Sequence, residues 1–165
     1  MKILLIGKNG QVGGELNKLL GRLGTLFAFT REQLDFSEPN SIEPIILDTR
    51  PDIIVNAAAY TAVDKAEEEP ELAMTINGVA PGILAKTAKI VGAGLIHYST
   101  DYVFDGNSNT AYREENRPCP LSVYGNSKLL GEKAIEEVKI PYLILRTGWI
   151  YSLHGKSFLK TIKTM

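Results

Sequence analysis

A tyrosine and a lysine stand four residues apart in the stretch "VYGNSKLLGEKA", Val123 to Ala134. On a helix, positions i and i+4 share a face, so the Lys128 ammonium lies one turn from the Tyr124 phenol. A free phenol has a pKa of about 10, and a neighbouring cation favours the phenolate. Such a pair suits a general acid that protonates a carbonyl oxygen near neutral pH. A third polar group has to hold that same oxygen, and "HYSTDYVFDG" offers Ser99 and Thr100 at the end of an apolar run. Thr100 is the expected partner. Alone, the Tyr-x-x-x-Lys spacing occurs often by chance and is better explained by a solvent-facing pair on a helix; the glycine turn and the Ser-Thr pair, each at its place in one fold, reverse that balance.

A second constellation lies near the amino terminus. In "GKNGQVG", Gly7, Gly10 and Gly13 recur at three-residue spacing, directly after the apolar run "KILLIG" and at the opening of a helical pattern. Glycine lacks the Cβ that would hold a pyrophosphate away from the backbone, and a helix amino terminus presents a positive end. A tight turn without a ligand would use glycines too, but the place of these in the first strand–helix unit favours a dinucleotide. At the end of the second apolar run stands Arg31. A cation there suits a 2′-phosphate, so NADPH is the expected cofactor, with NADH use left open. Pairing of Arg31 with Glu32 or Asp35 on the surface competes with that assignment. Asp35 and Phe36 are placed to hold and cover an adenine, and the small side chains from Asn56 to Thr61 to wall a nucleotide.

The elements that must position these groups are legible in the hydropathy pattern. Apolar runs at 2–7, 25–30, 52–58, 94–100 and 142–147 are nearly continuous and separated by helix-length segments. Strands buried on both faces read this way, so the fold class is α/β with a doubly wound parallel sheet. Helical spacing runs from Val12 through Leu23, and Pro39 and Ser41 suit the entry of a helix whose first turn holds Pro44. The long segment "PELAMTINGVAPGILAKTAKIVG" is expected to bend at Pro81 and Gly82. Residues 105–120 form a polar surface loop. The acidic run "DKAEEEPELA" reads as a solvated helix start whose charges favour the dipole.

Bulk properties bound the partners. The chain has 165 residues, 44% hydrophobic and 22% charged, with a net charge of −1. That is one domain, residues 1–165, and scattered Lys and Arg recommend neither nucleic acid nor an anionic membrane as partner. The single cysteine, Cys119, makes no internal disulfide, and no run is long enough for a signal peptide or a membrane span. The protein is expected in the cytoplasm. His97 reads as a strand residue and His154 has no partner at metal spacing, so no metal site is predicted. The chain ends inside an apparent amphipathic helix, which reads as a truncation.

Taken together, "GKNGQVG", "PDIIVNAAAYTAVDKAEEEPELA", "HYSTDYVFDG", "PLSVYGNSKLLGEK" and "LRTGWIYS" resemble the dTDP-4-dehydrorhamnose reductase family, extended short-chain dehydrogenases, along essentially all 165 residues. The resemblance implies a Rossmann-type fold and NADPH-dependent reduction of dTDP-4-dehydro-L-rhamnose to dTDP-L-rhamnose. It makes Thr100, Tyr124 and Lys128 the catalytic trio, with Lys128 also on the nicotinamide ribose. It sets Gln11 and Val12 against the cofactor beside Gly7, Gly10 and Gly13, and Ala58, Ala59 and Tyr60 along its nicotinamide side. Thr61, Asp101, Tyr102 and Trp149 would meet the sugar, Trp149 being equally a core aromatic. Family members continue into a smaller carboxyl-terminal domain that grips the substrate nucleotide, so this chain is expected to lack most of it and to turn over weakly. An open sheet edge would favour homo-oligomers. The rival readings are a nucleotide-sugar epimerase or dehydratase, and a regulatory subunit resembling the beta subunit of methionine adenosyltransferase. Asp101 followed by Tyr102 lacks the extra acid of a dehydratase, and a regulator need not keep the trio intact.

Overall fold

In a computed structural model of the chain, residues 1–151 are described. The elements are β1 (Lys2–Ile6), α1 (Gln11–Leu20), β2 (Thr25–Phe29), α2 (Ile42–Thr49), β3 (Ile53–Asn56), α3 (Val63–Ala66), α4 (Pro70–Met74), α5 (Ala80–Val91), β4 (Gly94–Thr100), α6 (Val123–Val138) and β5 (Tyr142–Thr147). Among the described residues five strands pair in parallel in the order β2-β1-β3-β4-β5. Each apolar run of the sequence became one strand, because a parallel sheet is covered on both faces and its strands can be apolar throughout. His154 and the helix expected at the carboxyl end lie outside the described residues.

The two faces are covered by different helices. On one, Leu16 and Leu20 of α1 pack over Ile3, Leu5 and Val55. On the other, Ile42 and Ile46 of α2, Leu84 and Ala88 of α5 and Ile135 of α6 close over Leu4, Ile6, Ile54 and Leu95. Each fully buried aliphatic side chain contributes roughly 1.5–3 kcal/mol.

The strand order reverses beside β1. The chain leaves β1 for β2 and returns to β3 on the other side, so the loops after β1 and β3 diverge and leave a crevice at the carboxyl ends of the strands. The register keeps those ends level: Ile6 lies opposite Phe29 and Asn56, and Thr100 opposite Thr147.

The expected bend at Pro81 and Gly82 lies upstream of them. Residues Thr75–Val79 form one wide π-helical turn, and α5 starts with Pro81 in its first turn. Proline has no N–H for the Asn77 carbonyl four residues back and its ring crowds that oxygen, so the backbone widens before the proline. Pro44 sits in the first turn of α2, as its missing N–H requires.

Candidate active site

Helix α6 carries Tyr124 and Lys128, and three devices fix where it starts and lies. The Ser122 hydroxyl accepts from the Gly125 amide at 3.0 Å, an N-cap bond. Glu67 accepts from the Val123 amide at 2.8 Å. Gly125 and Gly131 let the helix press on its neighbours: a Cβ at Gly125 would overlap the Tyr102 carbonyl, and one at Gly131 the Asn77 carbonyl. The acidic run is therefore more than a solvated helix start. Besides Glu67, Glu69 accepts from the Tyr60 hydroxyl at 2.8 Å and pairs with Lys65 at 2.7 Å.

Thr100 ends β4, buried, and its Oγ1 accepts from the Tyr102 amide at 3.2 Å and donates to Asp101 at 3.1 Å. Ser99 is committed elsewhere. Its hydroxyl donates at 2.5 Å to Glu132, which Arg146 of β5 also grips through Nη2 at 2.6 Å and Nε at 3.0 Å. Successive strand side chains point to opposite faces, so only one of the two hydroxyls can face Tyr124.

The electrostatics differ from the expectation that Lys128 acidifies Tyr124. Burial pushes the Tyr124 phenol up, and Asp101 and Tyr102 add to that, while the neighbouring Thr100 hydroxyl opposes them. Lys128 is 1% exposed, and its Nζ bonds run to β4: 2.6 Å to the Tyr98 carbonyl and 3.4 Å from His97 Nε2. Burial lowers the Lys128 pKa to about 8, with Glu132 opposing. A buried ammonium loses its hydration, which the sequence spacing does not reveal. The Tyr124 ring meets Tyr102 edge-on, centroids 5.6 Å apart.

These groups line one end of a cleft of about 630 Å³ that runs from the amino terminus of α1 to Trp149. Gln11 and Val12 border its far end, Ala59 and Thr61 its flank, and Thr100, Asp101, Tyr102, Tyr124 and Lys128 its near end. Trp149 is 64% exposed at the rim, so it is no core aromatic. A second hollow of about 210 Å³ shares Asn9, Gly10, Ala57 and Ala59 with the first. Its wall includes Gly7, Arg31, Asp35, Phe36, Ala58 and Tyr60. Ala58 and Tyr60 thus sit on the Arg31 side, away from Tyr124. Phe36 borders the hollow but is buried in the core, which limits how far its ring can cover a ligand. Arg31 is exposed and paired with Asp35 at 3.4 Å.

The glycine turn divides its labour. Gly7 has φ +85 and an added Cβ would lie 2.8 Å from the Ala58 amide. Gly13 borders neither hollow; its missing Cβ makes room for the Gly7 carbonyl, which seats α1 against β1. Gly10 caps α1 without a side-chain bond to the first amides. These are the amides that a helix start offers to an anion.

The roles of two asparagines escaped the sequence reading, which placed Asn56 only in the wall of a nucleotide and did not single out Asn77. Asn77, buried in the wide turn, accepts from the Tyr60 amide at 2.9 Å and donates to the Tyr60 carbonyl and the Ser127 hydroxyl, both at 3.0 Å. It thereby ties the segment after β3 to α6. The signal was an asparagine inside an apolar helical pattern, four residues before a proline. Asn56 is the other, taken up below. Among the described residues no cluster of three His, Cys, Asp or Glu could hold a metal ion, and no helix is long and apolar enough to cross a membrane.

The comparisons with known proteins agree with this geometry. A family profile for the RmlD substrate binding domain matches residues 1–165. The chain is 51% identical to the dTDP-4-dehydrorhamnose reductase of Escherichia coli K12 over 98% of its own length and 56% of that protein's. It is 48% identical to that of Burkholderia thailandensis, again over 98% of the chain and 54% of the relative. The crystal structure of the Bacillus anthracis dTDP-4-dehydrorhamnose reductase in complex with NADP superposes with a TM-score of 0.94 at 36% identity, over 99% of this chain and 58% of that one. The Thermus thermophilus UDP-glucose 4-epimerase, at 21% identity and a TM-score of 0.79, shares the fold. The chain spans about half the length of the curated relatives it matches. With a parallel Rossmann-type sheet, a glycine turn at its switch point and one profile matching from end to end, the chain belongs to the RmlD, or dTDP-4-dehydrorhamnose reductase, family and corresponds to the amino-terminal portion of its members.

Proposed function

We propose that residues 1–165 are a single dinucleotide-binding unit that takes NADPH and reduces the 4-keto group of dTDP-4-dehydro-L-rhamnose to give dTDP-L-rhamnose. The observation that carries this reading is the continuity of the two hollows, with the glycine turn between them and Thr100, Tyr124 and Lys128 at one end. The residues fit the cofactor: a Cβ at Gly7 would fill the turn, and the first amides of α1 have no side-chain cap. Arg31 would meet the 2′-phosphate after releasing Asp35, Asp35 and Phe36 would flank the adenine, and Lys128 the nicotinamide ribose. The B. anthracis relative carries NADP.

A nicotinamide held by these residues would supply hydride to the carbonyl carbon. Thr100 and Tyr124 converge on the carbonyl oxygen, and Tyr124 gives its phenolic proton to it as the carbon is reduced. Burial keeps that phenol protonated, which is the form an acid needs. Thr100 must turn from Asp101 to reach the substrate. Asp101, Tyr102, Thr61 and Trp149, exposed along the cleft, would meet the sugar. The partner of this proposal is a dTDP-sugar, the location the cytoplasm and the assembly a homo-oligomer; a net charge of −1 with scattered Lys and Arg favours neither nucleic acid nor an anionic membrane.

Two measurements test the reading. NADPH should raise the melting temperature and quench Trp149 fluorescence, because a ligand of the native state stabilises it. With the keto sugar nucleotide, loss of the nicotinamide absorbance should occur and should fall about 100-fold or more in Tyr124→Phe. No NADPH-dependent shift, or undiminished turnover in Tyr124→Phe, would reject the assignment.

A further inference from the structure

The hydrogen-bond chain at the site continues past Lys128. Asn56 closes β3 and is fully buried. Its Oδ1 accepts from the Ala58 amide at 3.1 Å, which leaves Nδ2 facing His97 Nδ1 at 3.0 Å. An amide nitrogen only donates, so this network assigns His97 Nδ1 the acceptor role. Burial and the Lys128 charge push the His97 pKa well below 6.5, so the ring is neutral. A neutral imidazole that accepts at Nδ1 carries its proton on Nε2. That atom lies 3.4 Å from Lys128 Nζ. An ammonium has three donors and no lone pair, so it cannot accept this N–H, whereas an amine can.

We propose that His97 is a positioning residue for Lys128: locked by Asn56 with its proton on Nε2, it offers the lysine nitrogen a donor that only the amine can accept. Lys128 then has two bonded states. As ammonium it is held by the Tyr98 carbonyl; as amine it still donates to Tyr98 and accepts from His97. Passing from the first state to the second releases one proton, and passing back takes one up. This rests on the reading of Lys128 as part of the reductase site, yet the ring proton is there before any ligand arrives. Through the Ala58 amide the same chain reaches the wall of the second hollow.

The charged and titratable groups that bear on Lys128 come from four directions. On α6 itself, Glu132 lies one turn on, paired with Arg146 of β5, and Tyr124 one turn back. From β4 comes the neutral His97. The turn after β4 brings Asp101, which acts on Tyr124. The wide turn before α5 presents neutral groups to α6, Asn77 bonding Ser127.

The test needs neither cofactor nor substrate. In the full chain labelled with ¹⁵N-histidine, two-bond proton–nitrogen correlation spectra between pH 6 and 9.5 report the protonation of each ring nitrogen. His97→Gln identifies which of the two histidine patterns is His97. The expected result is one neutral tautomer protonated at Nε2 throughout. A ring protonated at Nδ1, or an imidazolium within this range, overturns the proposal. In His97→Gln, whose carbonyl can accept from an ammonium, the proton affinity of Lys128, read from ¹³Cε-labelled lysine, should rise about tenfold. An unchanged lysine midpoint in a folded variant also overturns it, and if that variant fails to fold, the wild-type tautomer decides. NADPH titration of the same sample separates the two readings. The Nε2 tautomer without NADPH binding leaves this inference standing and removes the reductase assignment; the Nδ1 tautomer with NADPH binding does the reverse.

Discussion

Replacing Lys128 by methionine should make the protein more stable at neutral pH while removing the proposed reductase activity. The ammonium is 1% exposed, and burial lowers its pKa from 10.5 to about 8. At about 1.36 kcal/mol per unit, the folded state disfavours the charged form by about 3 kcal/mol at pH 7. The sign follows from the lowered folded pKa. Between about pH 8 and 10.5 the unfolded chain binds the proton and the folded chain does not, so wild-type stability rises with pH across that window. Methionine keeps the length of the side chain and removes the charge, but leaves the Tyr98 carbonyl, and above about pH 8 also the His97 N–H, short of the partner that the lysine gives it, a cost of about 1–2 kcal/mol. The expected balance is a gain of about 1–2 kcal/mol at pH 7 that shrinks and reverses toward pH 10. Urea unfolding followed by far-ultraviolet circular dichroism, at pH 7 and at pH 9.5, measures both terms. A variant less stable than wild type at pH 7, or a difference between the two that does not change with pH, would refute the reasoning. The gain would also show what a site residue costs its fold.

Three further outcomes follow from the packing around α6. Arg146→Met strands the Glu132 carboxylate, 1% exposed, and should cost about 3 kcal/mol in urea unfolding, with much of it recovered in the double variant carrying Glu132→Gln. Gly131→Ala gains about 1 kcal/mol of helix propensity but drives a Cβ into the Asn77 carbonyl, so a net loss of about 1–2 kcal/mol is expected, seen as a lower melting temperature. Asn77→Ala removes three hydrogen bonds, leaving the Tyr60 backbone without its partner; it should destabilise by about 2–3 kcal/mol and raise the Kd for NADPH in a fluorescence titration.

Much of the architecture was legible in the chain. Continuous apolar runs such as "KILLIG" can only be covered on both sides, which dictates a parallel sheet, and the three-residue glycine spacing at its first turn marks where a phosphate can approach. The four-residue step from Tyr124 to Lys128 is a helical period, so their shared face needed no coordinates. The position of the bend before Pro81 was less legible, because the widened turn depends on the Asn77 carbonyl facing Gly131 fifty-four positions on.

What tertiary structure alone decided is the environment of the charges. Spacing brought Lys128 to Tyr124, but burial turned the expected acidification around, raising the phenol and lowering the lysine. The acidic run, solvated by composition, holds the start of α6 through Glu67. Asn56, His97 and Lys128 are 41 and 31 residues apart in sequence, and only strand pairing and helix packing make them a chain. Periodicity is a local property that a sequence carries by itself, whereas desolvation and hydrogen-bond partners depend on which distant groups exclude water from a point in space.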